Sequence, residues 1–422
     1  MSSNERNIVI LGASFAGISA THYALKHVLP FLPTSNGEKY HVYLISPSRD
    51  FFFRVASPRA AVSTDLMPNS KTFYPIAPGL AQYGNLVTLV LGTATAWDNE
   101  TRTVNIASAE GPEKVLGYHA LLLATGTRTP SPLFTLHSTS EASKAELSSM
   151  NTRLVKAKSI LIAGGGPAGV ETAGEIGEYL NGTPGWFASK PVEPKAHITV
   201  VTDNKNLLPA LRPELGKKAE GYLARLGVEV RYGVRMEKAT DNSDGTTTVR
   251  ISTGEEVTVD VYIPATGQVP NTEYVPKSLL TDRGYVQTNN TTLRVDVAGP
   301  RVYALGDVGS YTRGGVMDIY DAVPVVMTNM KRDLLAFADA GEEKPGATIT
   351  PKGGDRPYKP NLKETQLVPV GRSKGVGAIF GWKLPSFMVW LIKGRDYLSS
   401  TAPDLITGNK WKKENSWKPT DG

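Results

Sequence analysis

Residues 160–176 read ILIAGGGPAGVETAGEI: an aliphatic run, a glycine-rich turn and a small-residue helical pattern. Gly164, Gly166 and Gly169 stand in full G-x-G-x-x-G spacing. The first glycine turns tightly out of a strand, the second lets backbone approach a pyrophosphate, and the third lets helix and strand pack closely. The phosphate then meets free N–H groups and the positive end of the helix that Pro167 and Ala168 open. One such turn is weak evidence, because packing alone produces it. A second copy, IVILGASFAGISATHYALK at residues 8–26, changes the weight of the reading. There Gly12 and Gly17 flank Ser14, Phe15 and Ala16, with Ser14 in the middle glycine position. Two dinucleotide turns, each after an aliphatic strand, predict an α/β chain with two Rossmann-like domains.

Each unit calls for a carboxylate at the end of its second strand, on the ribose hydroxyls. HVYLISPSRD places Ser46 there in the first unit, so the adenosine ribose is expected to meet a neutral hydroxyl and to be held less tightly. HITVVTDNK places Asp203 there in the second, with Lys205 close by. Asp203 favours a free 2′-hydroxyl and hence NADH, whereas Lys205 tolerates a 2′-phosphate, so NADH and NADPH both stay open. Two further strands end alike, LLLATGTRTP around Thr125 and Gly126 and YIPATGQVPN around Gly267, where the chain crosses from one nucleotide unit to the other. Late in the chain RVYALGDVGS sets Gly306 and Asp307 after a buried-type strand, where a carboxylate can accept from sugar or ribityl hydroxyls.

The 422 residues are enough for several domains, and 40% hydrophobic with 20% charged residues excludes disorder. There is no cysteine, which removes disulfides, thiolate metal sites, iron–sulfur clusters and redox dithiols; no metal site is expected. Any redox chemistry must use a cofactor. The net charge of +6 is spread along the chain, so a nucleic-acid partner is not favoured. No secretory signal or membrane-length apolar run is visible, and a cytoplasmic protein is expected. Two surfaces suit reversible contact with a membrane or lipid droplet: the tail KWKKENSWK at residues 410–418, equally readable as a disordered solubilising tail, and the apolar stretch around Phe387.

The ordered series of two dinucleotide turns, two Ala-Thr-Gly ends and a late Gly-Asp strand resembles the pyridine nucleotide-disulfide oxidoreductase superfamily. Within it the chain is most similar to the apoptosis-inducing-factor-like, ferroptosis-suppressor branch, related to type II NADH dehydrogenases. NLLPALRPELGKKAEGYLARLGVEV (206–230), GRSKGVGAIFGWKLPSFMVWLIKGRDYL (371–398) and DFFFRVASPRAAV (50–62) carry that likeness. The resemblance implies non-covalent FAD, on residues 1–130 plus 280–345. It implies NADH or NADPH on residues 131–279, and a smaller α+β interface or lid domain over 346–422. It carries a nicotinamide-side glutamate onto Glu171 and a flavin-side lysine onto Lys393, the two candidate catalytic residues. Arg59 falls near the flavin, and Asp307 on the ribityl chain. A helix beginning near Asp321 and including Val323 points at the flavin pyrimidine edge, with Pro324 in its first turn. Leu398 stands where the family has phenylalanine.

The implied reaction passes a hydride from NAD(P)H to flavin and then electrons to an external small molecule, with a quinone first. Phe380, Trp382, Phe387 and Trp390 form either a lid over that acceptor or the core of an interface domain. A tailoring oxidoreductase of secondary metabolism and a non-catalytic DNA- or partner-binding scaffold are the alternatives. A monomer and a homodimer are both compatible with the sequence.

Overall fold

The computed structural model describes residues 5–34, 39–108, 111–185, 191–340, 351 and 353–418. The strand Glu5–Leu11 lies parallel to Lys39–Ser46 on one side and to Ala120–Leu123 on the other, in a seven-stranded sheet. Val302–Ala304 and Val87–Asp98 extend the parallel core at its two edges, and Thr103–Ser108 and Lys114–Gly117 add an antiparallel flap. Side chains alternate across this sheet. Ile8, Ile10, Val42, Leu44 and Leu122 enter one buried cluster, while Val9, Leu11, Ile45, Leu121 and Leu123 enter another. Both faces are therefore dry, which is why these strands read as unbroken aliphatic runs.

The second unit repeats the plan with four parallel strands ordered Val228–Tyr232, His197–Thr202, Ser159–Ala163 and Val261–Pro264. Ile160 and Ile162 face the helix Pro167–Asn181 side. Leu161 and Ala163 face a three-stranded antiparallel sheet through Val249, Ile251 and Val259. The two Ala-Thr-Gly ends meet: Thr127–Arg128 pairs antiparallel with Val269–Pro270. The expected two-Rossmann α/β architecture is thus present, and a smaller antiparallel sheet of Gln366–Val370, Lys374–Ile379 and Trp382–Lys383 follows it.

Two local expectations are corrected. The late helix runs Val316–Ala340 and does not begin near Asp321, so Pro324 lies inside it and not in its first turn. Gly314 and Gly315, both at positive φ, end the preceding loop, and Thr312 Oγ1 donates to Asp318 Oδ2 at 2.8 Å, which anchors the start five residues early. The second correction concerns the tail. Trp411 is 7% exposed, packed edge-on to Tyr23 and Tyr320, and its carbonyl accepts from His27 Nε2 at 2.8 Å. His22 and Lys26 likewise donate to the carbonyls of Ile406 and Gly408. The end of the helix Phe15–His27 thereby satisfies carbonyls that a free tail would leave to water. Arg332 lies over the Trp417 ring at 5.6 Å. The described part of the tail is docked on the protein, and residues 419–422 lie outside the described residues.

Candidate active site

Both glycine turns are built by steric exclusion. A Cβ on Gly12 (φ +102°) would stand 2.5 Å from the Ala124 carbonyl oxygen, and one on Gly17 would stand 1.7 Å from that of Gly12. In the second turn a Cβ on Gly164 would meet the Ala265 oxygen at 2.5 Å and one on Gly169 the Gly164 oxygen at 1.9 Å, whereas Gly166 faces open space. Outer glycines thus serve packing, and the middle position faces outward toward a ligand. Ser14 holds that position in the first turn; it caps Phe15–His27 without a side-chain capping bond and lines a cleft.

That cleft, of about 410 Å³, collects many of the residues read from the first unit. Gly12, Ser14, Phe15, Ala16, Ser46, Thr125, Gly126 and Asp307 line it, together with Arg54, Asp50 and Ile319. Gly17, Gly306, Gly267 and Val323 shape the surrounding backbone without lining it; Val323 is fully buried, and Ile319, one turn earlier on the same helix, reaches the cleft. Thr125 Oγ1 donates to the Asn271 carbonyl at 2.8 Å, tying the two crossings together at the cleft wall. Ser46 is buried, and its hydroxyl donates to the Ser48 carbonyl at 2.8 Å, so it is spent on its own turn. Asp50 supplies the carboxylate beside it, bonded to Lys144 Nζ at 2.6 Å. At the Asp307 wall, Oδ2 accepts from Arg54 Nη2 at 2.8 Å while Oδ1 is buried with no partner. An unsatisfied buried carboxylate oxygen is costly alone and suits a hydroxyl-bearing ligand. With the glycine turn and helix N-terminus opposite, the cleft fits an elongated dinucleotide such as FAD.

The second centre lies on the helix Pro167–Asn181. Glu171, Glu175 and Glu178 recur at spacings of four and three, so they share one face, and each meets a cation from another segment. Lys393 Nζ donates to Glu171 Oε1 at 2.6 Å and to the Leu367 carbonyl at 3.1 Å. Arg59 clasps Glu175 with Nε and Nη2 at 3.0 and 2.8 Å. Arg372 binds Glu178 through both its backbone N–H and Nε. Burial pushes the Glu171 carboxyl up to about 7, with the Lys393 ammonium opposing the rise. The structure therefore joins the two candidate catalytic residues, 222 positions apart, in one buried ion pair.

Arg59 is not a cleft-lining residue. Its guanidinium also donates to the Gly394 and Arg395 carbonyls and stacks on Tyr397 at 4.7 Å. Tyr397 in turn donates to Glu175 at 3.1 Å. Lys393 itself sits on a widened turn, Trp390–Gly394, closed by an i→i+5 bond from Arg395 N to the Trp390 carbonyl. Tyr397 and Leu398 then hold left-handed backbone at φ 54° and 62°, a strain that the Arg59–Glu175–Tyr397 cluster holds in place. Arg54, on Asp307 at the cleft, and Arg59, on Glu175, are thus only five residues apart. Asp203 is exposed at the end of His197–Thr202 and accepts from Asn204 at 3.1 Å; Lys205 is exposed nearby.

The sequence reading missed Arg54, Asp50, Glu175, Glu178 and Tyr397. The three glutamates carried a signal, their common face on an otherwise apolar helix; the others carried none. Phe380, Trp382, Phe387 and Trp390 are exposed in this chain, so they are not part of its own buried core.

The model of the pyridine nucleotide-disulphide oxidoreductase family matches residues 6–325. Oxidoreductase phnG of Penicillium herquei is 45% identical over 419 residues, 97% of this chain and 98% of that one. Human ferroptosis suppressor protein 1 is 28% identical and aligns over 95% of each chain. Among solved structures, the sulfide:quinone oxidoreductase of Aquifex aeolicus superimposes with a TM-score of 0.68 at 14% identity, covering 96% of this chain and 92% of that one.

Proposed function

The chain belongs to the pyridine nucleotide-disulphide oxidoreductase family, and from that membership we propose an FAD-dependent NAD(P)H oxidoreductase that delivers electrons to a diffusible quinone. When bound, FAD supplies hydride acceptance from NADH or NADPH and electron return to the acceptor. The observation that carries the reading is the buried Glu171–Lys393 pair on the helix opened by the second dinucleotide turn. No cysteine exists to take the electrons onward within the chain, so the acceptor must be external.

The chain's own residues divide the work. Gly12, Ser14 and the start of Phe15–His27 hold a pyrophosphate, Asp50 stands at the Ser46 end of the cleft, and Asp307 receives a hydroxyl at its free Oδ1. Gly164, Gly166 and Gly169 offer the matching seat for the nicotinamide cofactor, with Asp203 at its ribose. Glu171, poised near neutrality, and Lys393 hold a proton and a cation in a water-poor setting. With a flavin held beside it, the Lys393 ammonium would supply positive charge that favours the anionic reduced ring. Arg59 and Tyr397 act through this pair as positioning residues.

The quinone reading is supported by the likeness to the sulfide:quinone oxidoreductase of Aquifex aeolicus. A second reading, an oxidoreductase acting on a hydroxylated organic molecule, is favoured by a cleft of about 470 Å³ beyond Asp307 that is lined by Thr127, Gln268, Arg283 and Arg313. The test is an anaerobic titration followed by absorbance. Flavin bands that bleach with NADH or NADPH and recover with a soluble quinone support the first reading. Flavin that bleaches with NADH or NADPH but does not recover with a quinone supports the second, and absence of flavin after reconstitution with FAD refutes both.

A further inference from the structure

Exposed large hydrophobic side chains are sparse over most of this surface but crowd one short segment. Trp382 is 79% exposed, Phe387 65%, Leu391 50% and Phe380 49%, and Trp390 is exposed beside them. Phe380 and Trp382 sit at the tip of the hairpin Lys374–Lys383. Phe387, Trp390 and Leu391 lie on the helical segment that packs back on it, where Ser386 Oγ accepts from Gly375 N. Solvent-facing aromatic rings at this density mark an interaction surface.

Charge identifies the occupant. From Gln366 to Arg395 the chain carries five cationic side chains and no aspartate or glutamate, and of the acids that flank this stretch, Glu364 is paired with Arg212 and Asp396 follows Arg395. Arg372 and Lys393 are paired with Glu178 and Glu171. Lys383 shares an exposed contact with Glu214 at 3.3 Å, while Lys374 and Arg395 are exposed and form no ion pair among the described residues. Apolar rings rimmed by outward cations match an anionic lipid surface, where indoles settle at headgroup depth and lysines meet phosphates. Among the described residues no helix is long and apolar enough to cross a membrane, so contact of this kind is peripheral.

We propose that the segment Phe380–Leu391 docks this protein on an anionic bilayer surface. The docking does not rest on which acceptor is reduced. It does set Trp390 and Leu391 in lipid while Lys393, on the same turn, reaches inward to Glu171, which suits an acceptor dissolved in the membrane.

The test is flotation of the full-length protein with phosphatidylcholine vesicles, with and without phosphatidylserine. Binding to the serine-containing vesicles, released by salt, is expected. The triple substitution Trp382→Ser, Phe387→Ser, Leu391→Ser should lower partition by about tenfold or more, while Leu362→Ser, at an exposed leucine elsewhere, leaves it unchanged. Lys374→Glu, which removes no apolar surface, should weaken binding to anionic vesicles alone. Quenching of tryptophan fluorescence by brominated lipid should be lost in the triple variant. Failure to float, or flotation that survives the triple substitution, overturns the proposal. Equal partition into both vesicle types overturns the anionic assignment, and a sedimentation-detected dimer abolished by the same substitutions reassigns the face to a second copy.

Discussion

Glu171→Gln keeps the side-chain volume and the oxygen that accepts from Lys393 but removes the titration. Burial raises the wild-type carboxyl from an ordinary 4.5 to about 7. That rise corresponds to about 3 kcal/mol against the ionised form, the attraction of Lys393 already included. An acid whose folded-state value is raised lends the folded state stability that is full below pH 4.5 and is lost as pH climbs to about 7. The wild-type protein should therefore lose up to about 3 kcal/mol over that window by a denaturant midpoint, and the glutamine variant should not. The same midpoint governs function. With half-ionisation near neutrality, the charged fraction grows from about one tenth to about nine tenths over two pH units, so a step needing ionised Glu171 accelerates by about tenfold. The assay is anaerobic stopped-flow reduction of the reconstituted flavoprotein by NADH across that range. If wild type and variant share one pH profile in both rate and stability, the buried pair does not titrate as argued and its role falls with it.

Arg59→Met leaves Glu175 buried with only Tyr397 beside it, and about 3–5 kcal/mol of stability should be lost, with faster proteolysis near Gly394. The double variant Arg59→Met, Glu175→Leu should recover most of the stability, measured by chemical unfolding. Asp307→Asn removes the charged partner of Arg54 and the free carboxylate oxygen in the cleft. FAD retention should fall by about tenfold or more, read as the flavin-to-protein ratio after dialysis, while unfolding without FAD changes little. Asp203→Ala should weaken NADH more than NADPH, and Lys205→Ala the reverse; equal effects on both nucleotides by titration would separate these residues from the ribose.

What could be read in advance was local. The turns at Gly12 and Gly164 announce themselves because a Cβ there has nowhere to go, a constraint written within six residues of sequence. The strands are legible because both faces of each parallel sheet are buried, which demands unbroken aliphatic runs such as Ile8–Leu11. The start of the late helix is not legible in the sequence, because Pro324 reads as a first-turn residue, while the Thr312–Asp318 bond that anchors Val316 is a side-chain contact with no periodic signature. Spacing alone cannot say that the Ser46 hydroxyl, at the cleft wall, also bonds the Ser48 carbonyl. The docking of the tail is not legible in composition, which does not reveal that His27 donates to the Trp411 carbonyl or that the Trp411 ring packs on Tyr23 and Tyr320.

The sequence alone therefore determined the two nucleotide-binding units and the absence of any internal thiol acceptor, since steric demands and composition act over short stretches. The tertiary structure alone decided which charges meet. Arg59 finds Glu175 across 116 positions, Lys393 finds Glu171 across 222, and Arg54 finds Asp307 across 253. It also decided that one aromatic cluster is buried in the tail while another, at Phe380–Leu391, faces outward. Ionic pairing and burial depend on where distant segments come to rest, and that outcome belongs to the packing of the whole chain and not to any window of it.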